Sequence, residues 1–189
     1  MKKFTFLTIL FIGLYFLSGC SKDDDSNDNG SFDCLFLEVG NKWTYDYSEF
    51  FGSDTLIIEI VSESNGVYEV FQRAGNNSKT EYWYTDGAFL KVYSQGEQKS
   101  GARRIFKCGA AVGDTWTEDS QSTPGGTITY EVIGLGNSIA TQDRVYNDCV
   151  KIELNFSYAS NTQYNYWSPD FGQVYQDGFV SLDLIEKNF

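Results

Sequence analysis

The feature that most constrains the fold of this chain is a strict alternation of apolar and polar side chains. The clearest segment is CVKIELNFSY, residues 149–158, whose apolar positions are Val150, Ile152, Leu154, Phe156 and Tyr158. Successive side chains of a β-strand point to opposite faces of its sheet, so this period of two places the apolar set on one face. Turn signals separate such segments, and one of them, Asp86-Gly87, predicts a two-residue hairpin loop. No segment after residue 19 has a helical period. The pattern therefore predicts an all-β fold, with antiparallel strands in a sandwich or a curved, barrel-like sheet.

Two motifs occur twice in the same order. VGNKWT at 39–44 returns as VGDTWT at 112–117, an offset of 73 residues, and YWYTDGAFLKVY at 82–93 returns as YWSPDFGQVYQD at 166–177, an offset of 84. An insertion of 11 residues between the two motifs of the second copy accounts for the difference. Repeated motifs indicate repeated structural units, so we expect two similar β units. In each, a Gly-Asn or Gly-Asp turn leads into a strand headed by tryptophan, whose ring can fill one end of a core.

Aromatic residues are the candidate ligand-binding side chains. The chain contains 15 Phe, 13 Tyr and 4 Trp, and the flat rings of Tyr and Trp can stack on sugar rings or fill a core. In the repeated motif, alternation places Tyr82 and Trp83 on opposite faces of one strand, and Tyr166 and Trp167 on opposite faces of another. These four residues are the candidate binding aromatics, with core packing as the alternative for each.

The composition excludes several chemistries. The chain has no histidine, which removes Ser-His-Asp and Cys-His sites, imidazole metal ligands and the commonest general base near neutral pH. A formal charge of −12 repels phosphate backbones, so we predict no nucleic-acid partner. The chemistry left open is a carboxylate pair, as in a glycosidase, drawn from the glutamates of predicted strands: Glu59, Glu69, Glu81, Glu131 and Glu153. We interpret these glutamates as a solvated outer face and predict no catalytic residue and no cofactor.

The first twenty residues carry a targeting pattern. Lys2 and Lys3 precede a largely apolar run at 4–17, which is shorter than the roughly 20 residues that cross a bilayer and is typical of a secretory signal. The sequence Leu17-Ser18-Gly19-Cys20 then resembles the lipobox of bacterial lipoproteins. In that family the cysteine thiol receives a diacylglyceryl group and the chain is cut just before the cysteine. The resemblance implies a signal peptide over 1–19 and a lipidated Cys20 that anchors the protein to a membrane.

A polar segment, SKDDDSNDNGS, follows at 21–31. It cannot bury enough apolar surface to offset the entropy of ordering, so we predict a flexible tether over 20–31 and a single all-β domain over 32–189. A lysine followed by aspartates also resembles the export signal of surface lipoproteins in the Bacteroidetes, which implies an outer-membrane protein facing the cell surface. The segment begins like a calcium loop at Asp25, but the position that needs glutamate is Phe36, so we predict no metal site.

Three cysteines follow Cys20, namely Cys34, Cys108 and Cys149. An odd number in an oxidising compartment allows one disulfide and one free thiol. We predict a Cys108–Cys149 disulfide, which would tie the middle of the chain to the strand containing Val150, and a free Cys34.

Three functions remain open at this point. The first is a non-enzymatic binding module, anchored in the outer membrane, for a glycan or a surface protein partner. The second is a periplasm-facing lipid carrier or assembly factor that holds an acyl chain inside a curved sheet, and the third is a carboxylate-dependent glycoside hydrolase. An exposed aromatic strip would favour the module, an apolar cavity the carrier, and two convergent carboxylates the enzyme.

Overall fold

Twelve antiparallel strands form one sheet in the computed structural model, which describes residues 34, 36–49, 52–178 and 180–188. The strands are β1 (Lys42–Glu49), β2 (Gly52–Ser64), β3 (Val67–Ala74), β4 (Asn77–Thr85), β5 (Phe89–Ser94), β6 (Arg103–Lys107), β7 (Thr115–Asp119), β8 (Thr127–Ala140), β9 (Val145–Phe156), β10 (Thr162–Ser168), β11 (Gly172–Asp177) and β12 (Ser181–Asn188). Among the described residues, the one helical element is a 3₁₀ turn at Lys99–Gly101. No helix in this described part is long and apolar enough to span a membrane. The predicted all-β fold is confirmed, with a curved sheet in place of a sandwich.

The strand order accounts for the repeat in the sequence. Along the sheet the order is β6-β5-β4-β3-β2-β1-β12-β11-β10-β9-β8-β7. Strands β1–β6 form one meander and β7–β12 form a second, and the two meanders join where β1 pairs with β12. Each strand of the first meander therefore has a counterpart six strands later, and the two predicted β units are confirmed.

The turn before the first tryptophan strand has the same hydrogen bonding in both units. Gly40 N donates to Ile60 O at 2.8 Å, and Gly113 N donates to Val132 O at 2.8 Å. The two glycines have φ angles of 98° and 90°, a region that side chains with a Cβ rarely adopt. The turn therefore requires glycine in both copies of the VG motif.

The insertion in the second unit lengthens one hairpin. β9 has 12 residues where its counterpart β3 has 8. The turn between β8 and β9 contacts β12, because Asp143 N donates to Leu184 O at 3.0 Å and Gln142 N donates to Asp183 Oδ1 at 2.9 Å. The longer hairpin thus gains its own attachment to the sheet.

Side chains bridge the two edges of the sheet, β6 and β7, across a gap that we call the seam. Arg104 Nη2 donates to Thr117 O at 2.8 Å, and the Arg104 guanidinium forms an ion pair with Glu118. Trp116 Nε1 donates to Arg104 O at 3.1 Å. Since β6 and β7 are not paired in the described strand order, these bonds hold together a sheet that is nearly closed into a barrel.

The segment before β1 closes one end of the barrel, which we call the closed end. The Phe36 side chain is 1 % exposed and lies edge-on to Trp43, with ring centroids 6.4 Å apart. Asn41 Nδ2 donates to Phe36 O at 2.9 Å. A Cβ at Gly172 would lie 3.1 Å from the Phe36 ring, and Gly172 has a φ of 71°, so this position also requires glycine. The opposite end, where the β3–β4 and β5–β6 connections lie, is the open end.

A disulfide between Cys34 and Cys108 fixes the closed end. The prediction of a Cys108–Cys149 disulfide is therefore wrong, as is that of a free Cys34. Cys149 lies in β9, where its side chain is fully buried in the core and its thiol is free, while Cys108, in the connection after β6, is bonded to Cys34. Burial raises the pKa of the Cys149 thiol to about 11. Each cysteine of the bond precedes a VG motif, so the bond joins the beginnings of the two units.

Candidate functional site

A cavity of about 310 Å³ lies inside the barrel. Its aromatic lining consists of Phe36, Trp43, Tyr45, Trp83 and Trp167. Its polar lining consists of Gln72, Lys79, Glu81, Arg103, Gln173 and Gln176. At Leu56, Gln72 and Lys79 it adjoins a shallow depression beside the β3–β4 turn, and this turn belongs to the open end. A ligand would therefore enter from the open end and contact both flat rings and hydrogen-bonding groups.

A buried carboxylate organises the side of the cavity formed by the first unit. We call Lys79, Glu81 and Trp83, alternate residues of β4, the Glu81 group. The Glu81 carboxylate accepts hydrogen bonds from Gln72 Nε2 at 2.6 Å and Trp83 Nε1 at 3.2 Å, and Lys79 Nζ lies 2.7 Å from it. The side chain of Glu81 is 7 % exposed and that of Lys79 is 61 % exposed. Lys79 therefore lies at the entrance, and the carboxylate is held in a fixed orientation behind it.

The second unit contains a counterpart of the Glu81 group without its charges. At the offset of 84 residues, Gln163, Asn165 and Trp167 of β10 occupy the equivalent places. Gln163 Nε2 donates to Asn165 Oδ1 at 3.1 Å, and both residues are buried. Trp167 is 3 % exposed, and its Nε1 has no hydrogen-bond partner. The indole N–H of Trp83 thus donates to Glu81 in the first unit, whereas the indole N–H of Trp167 is unpaired in the second unit.

Arg103, the first residue of β6, supplies another unpaired donor. Its Nε is buried without a hydrogen-bond partner, and among the described residues only Trp167 Nε1 shares this condition. Arg103 forms no ion pair with another described residue. Arg103 and Trp167, the two residues with an unpaired buried donor, both line the cavity.

Tyr45 contributes a neutral hydroxyl near the closed end. Burial, followed by the neighbouring Tyr146, raises the pKa of Tyr45 far above its ordinary value. The protonated hydroxyl donates to Gln173 O at 2.7 Å, which fixes β11 against β1. Tyr45 therefore shapes the wall of the cavity and does not act as a base near neutral pH.

The four candidate aromatics separate into two pairs. Trp83 and Trp167 both line the cavity, so the structure brings these two together. Tyr82 and Tyr166 are half-buried on the other face of their strands. There Tyr82 stacks on Tyr93 at 5.1 Å and Tyr166 meets Tyr175 at 5.8 Å. The indoles lie inside the barrel, and the tyrosines form two separate pairs on its outer surface.

The expectation that the strand glutamates form a solvated outer face is wrong for Glu81. Glu81 is 6 % exposed because alternation places it on the face of Trp83, towards the cavity. It is the one carboxylate in the cavity lining. Within the described residues, no cluster of three or more Asp, Glu and Cys side chains is arranged to hold a metal ion.

Sequence reasoning missed Gln72, Arg103, Gln173 and Gln176 as lining residues. Gln72 lies in β3, which pairs with β4, the strand of the Glu81 group, so the hairpin pattern could have indicated that it is a neighbour. A lone glutamine or arginine in a strand, however, indicates no particular kind of site. The predicted lipidation residue Cys20 and the recognition residues Leu17, Ser18 and Gly19 lie outside the described residues, so these remain predictions.

The fold and the cavity define an all-β protein with a mixed aromatic and polar interior site. No protein-family model matches the chain, and no curated protein matches it. The crystal structure of MucB contains a similar chain, with a TM-score of 0.43 and 11 % sequence identity. The similarity covers 84 % of this chain and 56 % of the MucB chain, so this chain spans little more than half the length of that protein.

Proposed function

We propose that this chain is a lipid-anchored surface protein that binds one unit of a glycan in its interior cavity without cleaving it. The observation that carries the proposal is the presence of three indoles and the Glu81 group around one cavity of about 310 Å³. Indole faces pack against sugar rings, and a fixed carboxylate accepts hydrogen bonds from hydroxyl groups. Ligand sites are commonly about 300–1,000 Å³, so a cavity at the lower end of this range suits one or two sugar rings.

The two rival functions fit the cavity less well. An acyl chain would bury the polar side chains of the lining without offering hydrogen bonds in return, which costs free energy. A glycosidase of the usual kind needs two carboxylates that flank the bond to be cleaved, and Glu81 stands alone in the lining. A non-enzymatic glycan-binding role requires neither an apolar lining nor a second carboxylate.

Saccharide binding by the full chain, purified in detergent, tests the proposal. A panel of monosaccharides and short oligosaccharides is titrated while intrinsic tryptophan fluorescence is recorded, with calorimetry on any sugar that responds. We expect a saturable change, because three of the four tryptophans line the cavity. A panel in which no saccharide saturates the signal contradicts the proposal.

A pair of neighbouring variants locates the binding site. Trp83→Phe removes part of the stacking surface and the indole N–H that Glu81 accepts, so affinity should fall about tenfold, equivalent to about 1.4 kcal/mol. Tyr82→Phe changes the adjacent residue on the outer face and should leave affinity unchanged. If Tyr82→Phe weakens binding as much as Trp83→Phe does, the ligand occupies the outer surface and the cavity assignment fails.

The anchoring part of the proposal rests on the resemblance of Leu17-Ser18-Gly19-Cys20 to a lipobox. Metabolic labelling with a palmitate analogue should label the wild-type chain, and Cys20→Ala should accumulate as an unlabelled precursor. Protease treatment of intact cells should remove the domain if it faces outward. A labelled and normally processed Cys20→Ala variant contradicts the anchor, and a domain spared by protease contradicts the surface location.

A further inference from the structure

We infer that the glycan unit bound in the cavity carries a carboxylate, as a uronic acid does, and that Arg103 and Trp167 recognise this group. The inference rests on the proposed function, since it names the chemical class of the sugar that the same cavity takes. It is carried by the charges of the lining, by two unpaired donors and by a difference between the two repeat units.

The cavity has a charge opposite to that of the whole chain. The formal net charge of the chain is −12, whereas the cavity lining holds two cations and one carboxylate. Lys79 and Glu81 pair with each other at 2.7 Å, which leaves the Arg103 guanidinium as the uncompensated charge. An acidic protein that places a cation without an ion-pair partner in this aromatic cavity offers an anion a favourable position there.

The unpaired donors call for an acceptor from the ligand. Arg103 Nε and Trp167 Nε1 are buried donors without partners, and both residues line the cavity. A buried donor without a partner is costly, so a ligand that supplies an acceptor gains binding free energy. An ionised carboxylate has two oxygens that only accept, and its hydrogen bonds with a guanidinium are charge-assisted. A carboxylate in the cavity therefore offers an acceptor oxygen to each of the two residues and compensates the charge of Arg103, while a hydroxyl oxygen compensates no charge.

The difference between the two units orients the ligand. In the first unit Glu81 accepts the indole N–H of Trp83, so that side of the cavity presents a protein carboxylate to ligand hydroxyls. In the second unit Asn165 Oδ1, at the equivalent position, accepts from Gln163 Nε2 and not from Trp167 Nε1, which is unpaired. A uronic acid provides the complementary arrangement, with hydroxyl donors for Glu81 and a carboxylate for Trp167 and Arg103.

Matched pairs of neutral and acidic sugars test the inference on the full chain in detergent. Glucose is compared with glucuronate and galactose with galacturonate at pH 7, by calorimetry and tryptophan fluorescence. We expect the acidic member of at least one pair to bind about tenfold more tightly, because one charge-assisted hydrogen bond contributes that much. Arg103→Gln should remove the preference, so that the acidic and the neutral member of each pair bind this variant with affinities within about twofold of each other. Trp167→Phe keeps a ring in place without the N–H and should reduce the preference.

Arg104→Gln is the matched control, because it removes the same charge from the next residue of β6, whose side chain lies at the seam. The preference should persist in this variant once circular dichroism confirms that it is folded. Equal affinity for both members of every pair, or the same change in Arg103→Gln and Arg104→Gln, overturns the inference while the glycan proposal stands. If no sugar binds, both fail, and a fatty acid that then binds in an Arg103-dependent way assigns the cavity to a carrier.

Discussion

Replacing Cys34 and Cys108 with serine should destabilise the protein by an amount that follows from the fold. The bond joins residues separated by 74 positions. Opening a loop of this length releases about 15 cal/mol/K of conformational entropy to the unfolded chain, or about 4.5 kcal/mol at 25 °C. For a urea dependence of about 2 kcal/mol/M, the unfolding midpoint of the double variant should fall by about 2 M. Urea titration followed by tryptophan fluorescence measures this shift.

The thiol chemistry gives a second, independent readout of the same bond. Among the described cysteines, Cys149 alone is free, and burial raises the pKa of its thiol to about 11. Only a very small fraction is thiolate at pH 8, so an aromatic disulfide reagent should react slowly with the native protein. In urea without reductant we expect one rapidly reacting thiol from the domain, and in urea after reduction we expect three.

Cys149→Ala is the control, because it leaves the disulfide intact and removes the free thiol. Its urea midpoint should fall by less than that of the double variant, since one small buried side chain is shortened. A double variant with the wild-type midpoint would refute the entropic argument. Three reactive thiols in the unreduced domain, or a Cys108–Cys149 peptide in a non-reducing digest, would refute the assignment of the bond.

Three other perturbations probe the cavity, the seam and a turn. Glu81→Gln replaces one carboxylate oxygen, which accepts hydrogen bonds, with an amide N–H₂, which only donates. The donors around position 81 then lose an acceptor, so the free energy of unfolding should fall by about 1–3 kcal/mol in urea titrations. Arg104→Ala removes the side-chain bonds across the seam, so the free energy of unfolding should fall by about 1–2 kcal/mol, with faster amide exchange in β6 and β7. The hydrogen bond from Lys91 holds the pKa of Asp86 at about 2, so Lys91→Met should return this pKa towards its ordinary value in carboxyl NMR titrations. Because the folded pKa is depressed, the stabilisation is present above about pH 4 and is lost as the pH falls towards 2, and solvent screening limits it to less than about 1 kcal/mol.

Each of these expectations has a contrary result. A Glu81→Gln variant as stable as the wild type would mean that the carboxylate is not needed by its neighbours. Unchanged amide exchange in β6 and β7 after Arg104→Ala would show that the seam is held by other contacts. An Asp86 pKa that stays near 2 without Lys91 would assign the shift to the backbone N–H donors of the turn.

The strand pattern was predictable because alternation is a local property of the chain. The segment from Val150 to Phe156 is a strand in which Val150, Ile152 and Leu154 are buried, as the period of two requires. The repeated VG motif likewise predicted two units, since each copy encodes the same turn. The pairing of the cysteines depends on how the two units pack against each other. The spacing of cysteines along the chain does not indicate this packing.

The turn predicted at Asp86-Gly87 differs in the structure because of a side-chain hydrogen bond. Asp86 N donates to Phe89 O at 3.2 Å, so the two residues at the tip of the loop are Gly87 and Ala88 and not Asp86 and Gly87. Asp86 Oδ1 accepts from Ala88 N at 3.1 Å and from Phe89 N at 2.9 Å, which stabilises the turn in this position. The dipeptide predicts a hairpin, but the aspartate side chain shifts the turn by one residue.

The cavity could be predicted only in part. Alternation places Glu81 and Trp83 on one face of β4, yet both faces of that strand carry aromatic rings, so the sequence does not tell which face points inward. The unpaired donors of Arg103 and Trp167 depend on which neighbours use the nearby acceptors. Such networks depend on the packing of several strands, and no single segment contains them.

The disulfide at the closed end also fixes where the chain enters the barrel relative to the cavity. The chain enters the barrel at Cys34, on the side opposite the cavity entrance, and 13 residues separate Cys34 from Cys20. A lipid on Cys20 would hold the closed end within at most about 50 Å of the bilayer. With the proposed anchor, the cavity entrance would lie at the end of the domain away from the tether, and motion about the attachment point would move it through the space above the membrane.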